Sequence, residues 1–210
     1  MMCFQPGWHM DLLSFDFAKV VDDLDVYGAT SRALLREGDV RRLRTSTNHL
    51  DYLYQREIVS RGQVRQKLSV HETFKEPSPF LVLRDVFQTR MVEGFSDIAN
   101  LFATPLTFNT LVVQHYAPGS IGITPHRDGL SRINLVCVIV LEGNARFALC
   151  DDREGTNPRD IHAPPGHVIL MRAPGYRSSD LQPFHFITDI RERRTIFGLR
   201  QRPNWLLPAS

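Results

Sequence analysis

The sequence lacks a long apolar run, a secretory leader pattern and a usable set of cysteines. No stretch approaches the roughly 20 apolar residues that a membrane-spanning helix needs. Residues 1–6 carry neither a basic segment nor an apolar stretch. Cys3, Cys137 and Cys150 have neither metal-ligand nor disulfide-framework spacing. These absences lead us to expect a cytoplasmic protein with no membrane partner.

An excess of one charge is also lacking, because 25 basic residues stand against 23 acidic ones for a net charge of +2. The basic residues are nevertheless concentrated: Ser31 to Val70 holds nine of them against four acidic residues. Such a segment can attract an anionic partner such as nucleic acid. A solvated helical face is the simpler explanation and is the one we favour.

What the sequence does contain indicates one domain over residues 1–210, since no repeat or low-complexity linker divides it. An apolar stripe at steps of three or four predicts a helix over Phe80–Phe102. From Thr107 onward, short apolar segments alternate with Gly- and Pro-rich turns, which is typical of a β-sandwich or barrel. The predicted strands are Thr110–Tyr116, Ile133–Leu141, Ala145–Cys150, His167–Arg172, His185–Ile190 and Thr195–Gln201.

Three residues have the chemistry of a metal site. His126 and Asp128 are two positions apart at a predicted strand end, so in an extended backbone they project to the same side. His185 lies in another predicted strand, 57 residues after Asp128. Two imidazoles and one carboxylate form the facial triad of non-haem Fe(II) oxygenases, which leaves coordination positions open for other ligands.

A second group of residues suits a dicarboxylate. Arg194 follows His185 by nine residues, and alternation places Arg194 and Arg200 on the same face of the last strand. An inward arginine beside Tyr116 is suited to holding the distal carboxylate of a diacid, because guanidinium binds carboxylate bidentately. The structural alternative for Arg194 is a salt bridge to Glu192 or Asp189.

Taken together, these elements resemble the Fe(II)/2-oxoglutarate-dependent dioxygenases. The resemblance implies an α+β fold, mainly β, in which a double-stranded β-helix (jelly-roll, cupin-like) core over residues 107–201 is supported by a partly helical segment over residues 1–106. It also implies that His126, Asp128 and His185 are the catalytic iron ligands, and that Arg194 binds 2-oxoglutarate with help from Tyr116 and Arg200. The implied cofactors are Fe(II), 2-oxoglutarate and O₂. The elements that carry the resemblance are Gln114–Gly119, His126-Arg127-Asp128, Pro165-Gly166-His167, His185 and Arg194–Arg200.

Within that family, the tyrosine, the His-x-Asp and the two arginines six apart are most similar to the AlkB-type branch. The sequence departs from that branch at Gln114 and Ile196, where Asn is usual, and the short step from His185 to Arg194 is closer to prolyl-hydroxylase-like and small-molecule oxygenases. We therefore expect hydroxylation of a small metabolite or natural-product intermediate. The alternatives are AlkB-type demethylation of nucleic acid and a non-catalytic cupin-type binding protein. The sequence leaves the oligomeric state open.

Overall fold

A computed structural model describes residues 8–59 and 64–206. The described residues form three α-helices, namely α1 (Phe17–Tyr27), α2 (Glu37–Thr47) and α3 (Pro79–Gly94). They also form eleven strands: β1 (Ala29–Ala33), β2 (Leu53–Val59), β3 (Arg65–His71), β4 (Thr110–Tyr116), β5 (Ile123–His126), β6 (Ile133–Glu142), β7 (Arg146–Cys150), β8 (Arg159–Asp160), β9 (His167–Arg172), β10 (Phe184–Thr188) and β11 (Arg194–Gln201). A short 3₁₀ helix, Asn204–Leu206, follows β11. In this part of the chain, no helix is long and apolar enough to cross a bilayer.

The strands pair antiparallel in one curled sheet with the order β1-β9-β6-β11-β4-β3-β5-β10-β7-β8, and β2 pairs with β3 along nearly its whole length. Curling gives the sheet an inner face and an outer face. The inner face packs on itself through side chains such as Val112, Val138 and Ile196. The outer face packs against the helices through side chains such as Leu135 and Phe197. This arrangement confirms the predicted mainly β, jelly-roll type of α+β fold.

The six strands predicted after Thr107 are all present, with β4 and β9 at their predicted bounds. The sheet, however, extends beyond residues 107–201. Strand β1 pairs with β9, and β3 lies between β4 and β5, so the N-terminal part supplies strands as well as helices. In β3 only Leu68 and Val70 are buried, because the alternate residues face solvent or the outer layer. Two apolar positions among polar ones gave a weak strand signal.

The predicted helix Phe80–Phe102 is shorter than expected. Helix α3 starts after Ser78, whose side chain accepts a hydrogen bond from the Phe80 amide at 3.3 Å, and Pro79 occupies its first turn. It ends at Gly94, where the ring of Phe17 fills the space that a Cβ would need. The apolar stripe continues through Phe95 in irregular backbone, so the stripe is core, as predicted, although only its first part is helical.

Candidate metal and cosubstrate site

His126, Asp128 and His185 converge at one end of the barrel. His126 ends β5 and lies directly opposite His185 on β10, and their ring centroids are 4.3 Å apart. One ligand atom from each of the three side chains lies within 4.8 Å of the other two. The structure therefore brings together all three residues that the sequence suggested as metal ligands.

Backbone carbonyls fix the orientation of both imidazoles. His126 Nδ1 lies 2.9 Å from the Thr124 carbonyl oxygen, and His185 Nδ1 lies 3.3 Å from that of Pro183. A carbonyl only accepts hydrogen bonds, so Nδ1 carries the proton in each ring. The Nε2 lone pair is then free to bind a metal, which is the usual arrangement of a metal-ligating histidine.

The electrostatics of the triad also suit a divalent cation. Burial lowers the pKa of His185 to about 4, so this imidazole is neutral at physiological pH. Burial raises the pKa of Asp128, but the neighbouring imidazoles and the Arg200 guanidinium outweigh that effect and hold it below its usual range. A neutral imidazole and an ionised carboxylate are the forms that ligate metals.

The local backbone explains how these residues meet. Gly122, just before β5, has φ 72°, and a Cβ there would lie 2.0 Å from the Ile187 carbonyl oxygen. Only glycine permits this close approach of β5 to β10, which sets His126 beside His185. Between His126 and Asp128 in the sequence, Arg127 turns outward, and its guanidinium packs over the Phe184 ring at 4.2 Å.

Arg194 and Tyr116 form the second part of the site. They lie directly opposite each other on β11 and β4, and both are buried, with Arg194 only 1% exposed. Arg194 Nε and Nη2 have no hydrogen-bond partner among the residues that the structure describes. The Tyr116 hydroxyl lies 3.5 Å from Gln114 Oε1. Burial raises the pKa of Tyr116 to about 12, so its hydroxyl remains a hydrogen-bond donor.

The alternative structural role of Arg194 is not adopted, because its two candidate partners are otherwise engaged. Asp189 binds Arg191 at 2.9 Å, and Glu192 accepts a hydrogen bond from the Asn144 amide at 3.1 Å. A buried guanidinium without an anion is unfavourable. Arg194 is thus a buried cation with two N–H groups that could donate to a carboxylate.

Arg200 lies on the same inner face, near the triad. It is half-buried, and its Nε is shielded from solvent without a partner within residues 8–59 and 64–206. Its positive charge lowers the pKa of both Asp128 and Tyr116. Arg200 is therefore coupled electrostatically both to the candidate triad, through Asp128, and to Tyr116.

Two other histidines lie away from the candidate triad. His115 faces the outer layer and stacks on Tyr52, with ring centroids 4.1 Å apart. His167 Nδ1 lies 3.0 Å from the Ser31 hydroxyl oxygen. Both therefore contact side chains outside the candidate triad.

Sequence reasoning missed Gln182. This residue is 7% exposed, its Nε2 has no partner in the described part of the chain, and it lines a small cavity together with Asp128 and His185. A single polar residue in a loop has no periodic signal, so nothing in the sequence marked it. A much larger cavity of about 680 Å³ lies between the end of α2 and the segment after β3. None of the predicted site residues lines that cavity, so it is not the metal site.

Solved structures share this fold. A prolyl-4-hydroxylase from Pseudomonas putida is 14% identical, with 90% of this chain and 100% of that chain covered and a TM-score of 0.67. An oxidoreductase of the 2OG-Fe(II) oxygenase family from Burkholderia pseudomallei is 15% identical, with 93% and 95% covered and a TM-score of 0.65. HygX from Streptomyces hygroscopicus, whose structure holds nickel and 2-oxoglutarate, is 11% identical, with 89% and 87% covered and a TM-score of 0.58.

No protein-family model matches the sequence, and no curated protein matches it significantly. The likeness to solved structures shows that the chain has the fold of 2-oxoglutarate/Fe(II) oxygenases.

Proposed function

We propose that this protein is an Fe(II)/2-oxoglutarate-dependent dioxygenase. The observation that carries the proposal is Arg194, a buried guanidinium whose Nε and Nη2 have no hydrogen-bond partner among the described residues, and which shares the inner face of the barrel with a His-Asp-His cluster. A structural metal site would not need such a group. A site for a metal-chelating diacid does, because the far carboxylate requires a cation.

His126, Asp128 and His185 would hold the iron, since the three donors converge and each imidazole has a free Nε2. Three protein ligands of this type leave positions for a chelating cosubstrate and O₂. Bound iron would supply O₂ activation, which couples oxidation of a C–H bond to decarboxylation of 2-oxoglutarate to succinate and CO₂.

Arg194 and Tyr116 would bind the distal carboxylate of 2-oxoglutarate. The guanidinium offers two N–H donors in a fixed plane, and the neutral phenol adds a third donor from the facing strand. Burial strengthens these contacts by excluding water. Arg200 would assist, because its charge acts on both Asp128 and Tyr116.

The charges of the assembled site support the same assignment. Fe(II), the Asp128 carboxylate, the 2-oxoglutarate dianion and the Arg194 guanidinium sum to zero. Charge neutrality is a strong requirement in a buried site, because uncompensated charge there is expensive.

We further propose that the oxidised substrate is a small molecule and that the usual product is its hydroxylated form. The partly paired basic residues of α2 support this choice over nucleic acid. Arg41 binds Glu37 at 2.8 Å, and Arg36 binds Asp11 at 3.2 Å. These charges are already partly compensated within the protein.

The test uses the purified protein without oxygen. Addition of Fe(II) and then 2-oxoglutarate should produce the visible charge-transfer absorption of an iron–2-oxo acid chelate, and admission of O₂ should release succinate. A metabolite library and a methylated oligonucleotide then identify what accelerates that release.

Two matched variants control for nonspecific metal binding. His185→Ala should abolish the absorption, whereas His167→Ala, which changes a histidine outside the triad, should retain it. A wild-type protein that forms no chelate and releases no succinate would contradict the proposal and favour a non-catalytic binding protein.

A further inference from the structure

Two arginines that the proposed mechanism does not use act electrostatically on each other, and one of them, Arg132, also acts on Asp128 of the candidate triad. Arg132 immediately precedes β6, and Arg202 immediately follows β11. These strands pair, with Gln201 opposite Ile133, so the two arginines flank the last residue pair of the ladder. Arg132 is only four residues after Asp128, and the Asp128 charge acts on it.

The backbone of Arg202 is held in place. Its amide donates to Asn109 Oδ1 at 2.8 Å, and Asn109 Nδ2 donates to its carbonyl oxygen at 2.8 Å. A residue just beyond a strand end would otherwise fray. The pair of hydrogen bonds fixes the point from which the Arg202 side chain extends.

Each of the two guanidinium groups has an N–H donor without a hydrogen-bond acceptor among the described residues. Arg132 Nη1 and Arg202 Nε are shielded from solvent and have no acceptor among the described residues. Arginines that serve only the surface of this protein are different: Arg191 binds Asp189 at 2.9 Å, and Arg146 binds Asp160 at 2.8 Å. Shielded donors without acceptors are rare in folded proteins and call for an explanation.

The surroundings carry excess positive charge. Burial, with the charges of Arg200 and Arg202, lowers the pKa of Arg132 to about 10, which leaves it a cation at neutral pH. Two carboxylates oppose this charge. Asp128 would share its charge with the iron, and Glu72 is exposed and forms no ion pair with any described residue. With the metal and 2-oxoglutarate bound, the cluster would still lack an anion.

We infer that Arg132 and Arg202 form a subsite for an anionic group, a carboxylate or a phosphate, of the small-molecule substrate. The inference rests on the proposed function and adds the charge class of the substrate to it. Exposed apolar side chains lie nearby along the chain. Leu130 is two residues before Arg132, and Trp205 is three residues after Arg202. The substrate that fits is a small organic acid or phosphate ester with an apolar part.

The experiment uses inorganic phosphate as the probe and the Mn(II)-loaded, 2-oxoglutarate-saturated protein as the receptor. Bound Mn(II) accelerates ³¹P relaxation, and the effect falls steeply with distance, so it reports phosphate held beside the metal centre. Arg132→Gln and Arg202→Gln should each weaken phosphate binding about tenfold or more, because each removes charge-assisted hydrogen bonds. The control Arg191→Gln, at a surface arginine, should bind phosphate as the wild type does.

Occupancy of Mn(II), measured by EPR, and 2-oxoglutarate affinity separate this inference from the proposed function. Both should be unchanged in the two test variants. If the wild type binds neither Mn(II) nor 2-oxoglutarate, the proposed function fails and the inference with it. If both bind normally but the variants relax phosphate as the wild type does, the inference alone is overturned. Displacement of phosphate by a single-stranded oligonucleotide would overturn the assignment to a small molecule.

Discussion

The two faces of the β4–β11 pair differ in whether their polar side chains have hydrogen-bond partners. On the outer face, Thr195 lies opposite His115. The Thr195 hydroxyl donates to Glu142 at 3.1 Å, and the same carboxylate accepts two hydrogen bonds from Arg193, at 2.7 and 3.0 Å. His115 stacks on Tyr52, whose hydroxyl lies 3.0 Å from its Nε2. Each of these polar side chains has a partner within the protein.

One residue away, on the inner face, Arg194 lies opposite Tyr116, and its Nε and Nη2 have no partner in the part of the chain that the structure describes. The polar side chains of these two strands are therefore hydrogen-bonded on the outer face, whereas Arg194, inside the barrel, has unused hydrogen-bond donors. A buried charge without a partner destabilises the empty protein. Such groups persist where a ligand supplies the missing partner, so the contrast between the faces supports the proposed binding role of Arg194.

The largest expected effect comes from replacing histidines on the two faces. His126→Ala, on the inner face, should reduce Fe(II) affinity at least about 100-fold and abolish turnover, since a lost ligand exceeds the effect of a lost outer-shell group. His115→Ala, on the outer face, should retain iron affinity and lower the free energy of unfolding by about 1–2 kcal/mol through lost stacking and hydrogen bonding. Anaerobic equilibrium dialysis and urea unfolding measure the two quantities. Full iron binding and turnover in His126→Ala would refute the triad.

A second contrast uses adjacent arginines. Arg194→Met should weaken 2-oxoglutarate binding about 10- to 150-fold, because a charge-assisted contact contributes about 1.5–3 kcal/mol. The same change should leave the free energy of unfolding unchanged or raise it, since it removes an unpaired buried charge. Arg193→Met should do the reverse, with unaltered 2-oxoglutarate affinity and a stability loss of at most about 1 kcal/mol. Calorimetric titration of the metal-loaded protein decides, and equal affinity in wild type and Arg194→Met would end this role for Arg194.

A smaller effect concerns the pH dependence of stability. Burial lowers the pKa of His115 to about 4, whereas an unfolded histidine titrates near about 6.5. The unfolded chain therefore binds the proton more readily, and stability from neutral His115 is present above about pH 6.5 and is lost as pH falls toward 4. His115→Phe should flatten the decline in unfolding free energy across this window. Urea titrations at several pH values test this, and an identical slope in both proteins would disprove it.

The smallest expected effect is on nucleic-acid binding. Two exposed arginines of α2 already bind acidic residues of the same helix: Arg41 binds Glu37, and Arg42 binds Asp39. We therefore expect no tight, salt-sensitive binding to single-stranded DNA or RNA near physiological salt. Fluorescence anisotropy at low and moderate salt measures this. Micromolar binding with a steep salt dependence would instead indicate a phosphate-binding surface.

Most of the candidate metal site could be predicted from sequence spacing, because His126 and Asp128 are two residues apart in extended backbone and His185 lies in a predicted strand. The strand parity that placed Arg194 and Arg200 on one face also follows from alternation alone. Strands β1 and β3 could not be predicted from the sequence, since their partner strands are distant along the chain and few of their residues are apolar.

The further residues of the candidate site that lie in loops and at strand ends could not be predicted from the sequence either. Gln182, Arg132 and Arg202 become notable only when burial and missing partners are known. The length of α3 escaped prediction for a related reason. Helix α3 ends at Gly94, where the Phe17 ring occupies the space that a Cβ would need, whereas the apolar stripe continues beyond it.

The position of β3 has a consequence for how the chain folds. Strands β4 and β5 are consecutive in sequence, yet β3 from the first third of the chain separates them in the sheet. Residues 107–206 alone would therefore expose the edges of β4 and β5 that β3 covers, and open edges promote aggregation. Closing the barrel must wait for pairing between segments far apart in sequence, which slows folding. A fragment that starts after α3 would carry all three triad residues and still lack the strand that joins the two sides of their barrel.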